Sequence, residues 1–100
     1  MKKVQHMVVL QFKKGVPAEK IAELFGELAR LRQVIPGIEH FSGGPYASQE
    51  GLHQGFTHGF LMTFRDAESR DRYLPHPEHE RVKQAILPHI DNVLAFDFEE

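Results

Sequence analysis

Four stretches of the chain have the apolar, period-two pattern of β-strands. In the first, 4–12, one face is formed by Val4, His6, Val8, Leu10 and Phe12, and the other face is also apolar in its middle. A strand of this kind belongs inside a sheet that is covered on both sides. The four predicted strands are 4–12, 38–46, 56–64 and 92–99.

The segments between the strands change to helical periodicity. Residues 17–34 form an amphipathic pattern that begins at Pro17 and is ended by Pro36 and Gly37. A short helix is predicted from the N-cap Asp66 to about Tyr73. A further helix is predicted over 77–87, where Pro88 stops it.

The order of these elements predicts the architecture. Strand, helix, strand, strand, helix, strand is the order of a split βαβ unit, so we expect one ferredoxin-like α+β domain over residues 1–100. Its four-stranded antiparallel sheet would carry helices on one face. The other face is too apolar for water, and we expect a second copy to cover it, giving a homodimer through the sheet face, a dimeric α/β barrel.

Composition narrows the possible functions. The chain has 100 residues, a formal net charge of −2 and scattered Lys and Arg, which argues against nucleic-acid binding. It contains no cysteine, so disulfides, zinc–thiolate sites and thiol nucleophiles are excluded. No stretch has the length and apolarity of a signal peptide or a membrane span, so we expect a cytoplasmic protein that does not bind membranes.

Seven histidines are the most conspicuous candidates for chemistry. His6 and His58 interrupt apolar strand faces, where an unpartnered imidazole would cost about 1–3 kcal/mol. Either they are core histidines bonded to backbone or to each other, or they line a pocket. The remaining strand and loop histidines, His40, His53 and His89, are expected on the surface.

The segment YLPHPEHERV, residues 73–82, contains the other two histidines. With Pro77 in the first helical position, His76 falls at the N-cap and His79 two positions after Pro77. A metal site would need a third ligand that the nearby carboxylates do not supply, so we predict no metal. The imidazole of His79 and the phenol of Tyr73 could instead face the same space, which suits enolisation or aldol chemistry.

The chain resembles the stress-responsive α/β-barrel family. The similarity lies in QHMVVLQFK (5–13), VIPGI (34–38), GFTHGFLMTF (55–64), YLPHPEH (73–79) and DNVLAFDFE (91–99). These stretches span nearly the whole chain in order. The resemblance implies the dimeric ferredoxin-like fold that was predicted from the order of elements.

One plant member of that family closes a ring on a linear polyketide by an aldol-type reaction that uses no metal or other cofactor. The resemblance implies that Tyr73 and His79 are the catalytic pair and that His6 and His58 are pocket histidines. The further predicted ligand contacts are Val8, Leu10, Leu24, Phe25, Phe60, His76 and Val82.

The chain departs from that member around the pocket. Leu28 stands where that member has a tyrosine, and Val82 and Lys83 replace an aromatic residue and a glycine. Gly43-Gly44 lies where many members of the family carry an aromatic residue before one glycine. A different substrate, or none, is therefore expected.

Three functions follow from these observations. The first is a lyase or cyclase that acts on a polyketide-like carbonyl compound. The second is a non-catalytic ligand-binding or stress-protective dimer. The third is haem degradation with His58 or His79 as axial ligand.

Overall fold

The computed structural model describes residues 2–100, and it has the predicted order of elements. Its strands are β1 (Val4–Phe12), β2 (Ile38–Pro45), β3 (His58–Phe64) and β4 (Ile90–Glu99). Its helices are α1 (Ala18–Val34), α2 (Ala67–Tyr73) and α3 (Pro77–Ile86), and a 3₁₀ turn (Leu87–His89) follows α3. No helix within this range is both long and apolar enough to cross a membrane.

The four strands form one antiparallel sheet in the order β2-β3-β1-β4. This arrangement confirms the predicted split βαβ topology, with β2 and β4 at the two edges. The helices lie on one face of the sheet. Between them and the sheet is a core that takes alternate residues of the strands and one stripe of α1 and α3, namely Val4, Val8, Leu10, Phe12, Leu24, Leu28, Leu31, Phe60, Met62, Phe64, Val82 and Ile86.

Element ends differ from the predicted ones by one or two residues, and local turns explain the differences. Pro17 is the N-cap of α1 and lies outside the helix. Strand β3 begins at His58 because the N–H of Phe56 closes a turn onto the carbonyl of His53. Strand β4 begins earlier than predicted, at Ile90, because the 3₁₀ turn leads directly into it.

The second face of the sheet carries large apolar side chains that this protomer leaves uncovered. Met7 is paired with Phe96 across β1 and β4, and Leu94 and Phe98 lie on the same face. These four side chains are 43%, 59%, 51% and 42% exposed, respectively. We call this surface, formed by Met7, Leu94, Phe96 and Phe98, the open sheet face.

Candidate functional site

The break between α2 and α3 brings two chemically useful side chains together. Tyr73 is the last residue of α2, and His79 lies in the first turn of α3. The backbone N–H of His76 donates to the carbonyl of Tyr73 at 3.0 Å, which reverses the chain. The Nδ1 atom of His76 accepts from the N–H of Glu78 at 3.1 Å, and this confirms His76 as the N-cap.

The rings of Tyr73 and His79 are in contact, with their centroids 4.2 Å apart. Tyr73 is 1% exposed and also packs against Phe64. Burial raises the pKa of Tyr73 because the phenolate would lose its solvation. The phenol therefore keeps its proton at neutral pH and can act only as a hydrogen-bond donor or weak acceptor.

The protonation of His79 follows from its hydrogen bond. Its Nδ1 lies 2.9 Å from the backbone carbonyl of Leu74, and a carbonyl can only accept. Nδ1 therefore carries the proton, and Nε2 keeps its lone pair. Burial lowers the pKa of His79, so the neutral imidazole with a basic Nε2 is favoured at neutral pH.

His6 lies beside this pair and is held by a charged network. Its Nδ1 is 2.6 Å from Asp97 Oδ1, and Asp97 Oδ2 accepts from Arg70 at 2.8 Å. The carboxylate accepts, so Nδ1 of His6 carries a proton and its Nε2 side is directed away from β4. Although burial opposes it, hydrogen bonds from His6 and Arg70 hold the pKa of Asp97 below its ordinary value.

A cavity of about 230 Å³ lies between the helices and the sheet at this point. The polar rings in its lining belong to His6, Tyr73 and His79, and the His6 and Tyr73 rings are 6.1 Å apart. The rest of its lining is Val8, Leu10, Leu28, Phe60, Leu74, Lys83, Ile86, Leu87, Ile90, Val93 and Ala95. An apolar hollow with a few convergent polar groups is the usual form of a small-molecule site.

The structure brings six of the predicted site residues to this cavity: Tyr73, His79, His6, Val8, Leu10 and Phe60. The other predicted contacts do not line it. Leu24 and Val82 are fully packed in the core between the helices and the sheet, and Phe25 packs against Phe60 and His58. The imidazole of His76 is used as the helix cap.

His58 also lies outside this cavity, so the expected convergence of its ring with His6 does not occur there. The two histidines share a sheet face, but His6 pairs with Met62, four residues from His58 along β3. At about 3.3 Å per residue this separates them by roughly 13 Å. The Nδ1 of His58 is 2.9 Å from the hydroxyl of Thr57, so the two histidines do not satisfy each other.

Around His58 the structure has a second, wider hollow of about 530 Å³ beside the loop 46–57. The His58 ring packs edge-on against Phe12, and burial lowers its pKa. Tyr46 and His53 are stacked at the rim of this hollow, with ring centroids 3.8 Å apart.

Two members of the site, Asp97 and Arg70, were missed by the sequence analysis. A signal was present for Asp97, because it interrupts the small apolar face of Val93 and Ala95 on the last strand. Nothing in the sequence pattern indicated Arg70, which comes from a different element.

Within residues 2–100 no three His, Cys, Asp or Glu side chains are grouped closely enough to hold a metal ion.

Comparisons with known proteins show which family and which fold this chain resembles. The model of the stress responsive A/B barrel domain matches residues 4–100. The stress-response A/B barrel domain-containing protein HS1 of Arabidopsis thaliana is 38% identical over 96 residues, which are 96% of this chain and 88% of HS1.

Two further matches cover nearly all of both chains. Olivetolic acid cyclase of Cannabis sativa is 27% identical over 95 residues, 95% of this chain and 94% of the cyclase. A dimeric ferredoxin-like protein of unknown function from Jannaschia sp. CCS1 superposes with a TM-score of 0.87 at 28% identity, over 98% of this chain and 99% of the other.

Proposed function

Because this chain belongs to the stress-responsive A/B barrel domain family, we propose that it binds a small carbonyl compound beside Tyr73 and His79 and acts on it by acid–base chemistry of the lyase or cyclase type. The observation that carries the proposal is the contact between a protonated phenol and an imidazole with a free Nε2, inside an apolar cavity. The similarity to a protein named olivetolic acid cyclase supports ring closure as the reaction.

Tyr73 and His79 have different roles in this chemistry. The Tyr73 hydroxyl donates a hydrogen bond to the substrate carbonyl oxygen, where negative charge develops. His79 Nε2 removes a proton from the neighbouring carbon, and the C–H electron pair forms the enolate. The enolate carbon then bonds to a second carbonyl of the same molecule, whose oxygen takes the proton back from His79.

His6 acts through position rather than through proton transfer in this proposal. Its bond to Asp97 fixes the ring plane, and its edge faces the rings of Phe60, Phe64 and Tyr73. A fixed ring at this place limits the orientations of a ligand that reaches Tyr73.

The size of the cavity limits the substrate. The cavity volume of about 230 Å³ is below the roughly 300–1,000 Å³ that is usual for sites of drug-sized ligands. We therefore propose a substrate with a single ring or a short chain, in agreement with the different substrate expected from the sequence.

The direct test is proton exchange at the carbon next to a carbonyl. Deuterium incorporation into small β-keto esters and aryl methyl ketones is followed by NMR with wild type, Tyr73→Phe and His79→Gln. We expect each variant to lose about 10²–10⁴-fold in rate, the usual contribution of a positioned acid or base. His76→Asn is the matched control, because it removes the neighbouring imidazole and keeps an N-cap side chain.

Equal exchange rates in wild type and His79→Gln would refute the proposed chemistry. Protection of the wild type against heat by the same compounds, without any exchange, would instead support the second function, a non-catalytic ligand-binding dimer.

We also propose that the chain is a homodimer through the open sheet face. Four large apolar side chains lie together on that face, and soluble monomers rarely leave such a patch uncovered. The similar Jannaschia protein is described as dimeric. Sedimentation equilibrium should give twice the chain mass of 11.5 kDa at micromolar concentration, whereas a monomer would refute the assembly.

A further inference from the structure

Lys83 lies at the mouth of the cavity that contains Tyr73 and His79. It is four residues after His79 on α3, so the two side chains occupy the same helix face one turn apart. Apart from His6, Tyr73 and His79, the other side chains of the lining are apolar. Among the described residues that line this cavity, Lys83 is the one with a permanent charge.

The ammonium group of Lys83 can exchange its partner. Its Nζ is 2.8 Å from Glu80 Oε1, and both side chains are 44% exposed. An exposed pair of this kind contributes at most about 1 kcal/mol, so a ligand carboxylate can replace Glu80. Arg70 is not free in the same way, because its guanidinium is already bonded to the carboxylates of Asp97 and Asp71.

The charge of Lys83 acts on the site itself. Burial is the main cause that lowers the pKa of His79, and Lys83 adds to it, whereas the hydrogen bond to Leu74 and the charge of Glu80 oppose it. The residue is thus near enough to interact with whatever occupies the space beside His79.

We propose that Lys83 is a specificity-determining residue that selects carbonyl compounds which also carry a carboxylate. The carboxylate binds the ammonium group at the mouth, and the carbonyl reaches Tyr73 at the inner end. Four residues of helix α3 rise by about 6 Å between His79 and Lys83, so the ligand carboxylate beside Lys83 and the C–H group beside His79 are separated by on the order of 6 Å. The substrate class is therefore a short keto acid or an acyl-substituted aromatic acid. This assignment rests on the proposed function of the same cavity.

The test compares two ligands of one shape, para-acetylbenzoate and para-acetylbenzamide, by isothermal titration calorimetry at low salt. We expect wild type to prefer the acid over the amide by less than the roughly fivefold that a partly exposed ion pair can contribute, because Glu80 competes for Lys83. Lys83→Met should remove the preference without weakening amide binding, and Lys83→Arg should keep it. Glu80→Gln should increase it, because the intrahelical partner is gone.

Lys20→Met is the matched control, since Lys20 forms the equivalent pair with Glu23 on α1, at 3.2 Å, and does not line the cavity. This control should keep the wild-type preference. The inference is overturned if Lys83→Met keeps the preference for the acid, if wild type shows none, or if wild type binds neither ligand.

The two proposals fail separately. Exchange that depends on His79 but shows no preference for the acid would remove the role of Lys83 alone. A preference that depends on Lys83, without any exchange at the methyl ketone, would remove the acid–base chemistry and leave a carboxylate-binding site.

Discussion

Asp97 joins the last strand to the site, and its replacement by alanine is the most informative single change. In Asp97→Ala the Nδ1–H of His6, a residue that is 8% exposed, loses its acceptor. An unsatisfied buried donor costs about 1–3 kcal/mol, and the partly exposed pair with Arg70 adds up to about 1 kcal/mol. We expect the free energy of unfolding to fall by about 1–4 kcal/mol, out of the roughly 5–15 kcal/mol typical of a domain of this size.

Urea unfolding followed by circular dichroism measures this loss, with all variants at one protein concentration because dimerisation would shift the midpoint. The thermal midpoint should fall by at least about 4 °C. Asp71→Ala is the control: Asp71 bonds the same Arg70, but its side chain is 66% exposed, so its loss should cost less than about 1 kcal/mol. The double variant Asp97→Ala/His6→Leu should lose much less stability than the sum of the losses of the two single variants, because no unpaired His6 donor remains.

The stability that Asp97→Ala loses should depend on pH in a defined direction. The pKa of Asp97 is lower in the folded protein than in the unfolded chain, so its stabilisation is complete above the unfolded pKa of about 3.9. It is lost as the pH falls through the folded-state pKa. The difference between wild type and Asp97→Ala should therefore shrink below about pH 4. If Asp97→Ala is as stable as Asp71→Ala at neutral pH, this account of the network formed by His6, Asp97 and Arg70 is refuted.

Three further predictions concern other parts of the molecule. Gly37→Ala should destabilise the protein by more than about 2 kcal/mol in urea unfolding, because φ is +95° and a Cβ would lie 2.5 Å from the Ser69 side chain. Gly15→Ala, with φ of +90° but open space, should cost only about 1 kcal/mol, and equal losses would contradict the steric reasoning. Phe96→Asp should convert the proposed dimer to monomer in sedimentation, and an unchanged mass would place the interface elsewhere. Exchange that depends on neutral His79 should become faster as the pH rises and should reach its plateau before pH 6.5, because burial lowers the pKa of His79. A plateau that begins above pH 6.5 would refute this.

The fold could be predicted because two features of the sequence indicate the same element boundaries, namely the hydrophobic periodicity and the helix-breaking residues. The change from period two to helical spacing after Phe12 and the Pro36-Gly37 pair mark the main boundaries, and both agree with the structure. The meeting of Tyr73 and His79 was also accessible, because two prolines fix the chain reversal between them.

The rest of the site depends on distances between elements, which residue pattern does not encode. Whether His58 reaches the ring of His6 is decided by the β1–β3 register, and that register places them four residues apart. The pairing of His6 with Asp97 depends in the same way on the register of β1 with β4. Arg70 reaches Asp97 only because α2 packs across that end of the sheet.

The edge strand β4 has a dual character that limits how this protein can diverge. Val93 and Ala95 form a wall of the cavity, whereas the alternate residues Leu94 and Phe96 belong to the open sheet face. Substitutions at odd or even positions can change ligand preference and self-association independently. An insertion or deletion of one residue would exchange the two sets and damage both at once, so we expect the length of this strand to tolerate far less variation than its composition.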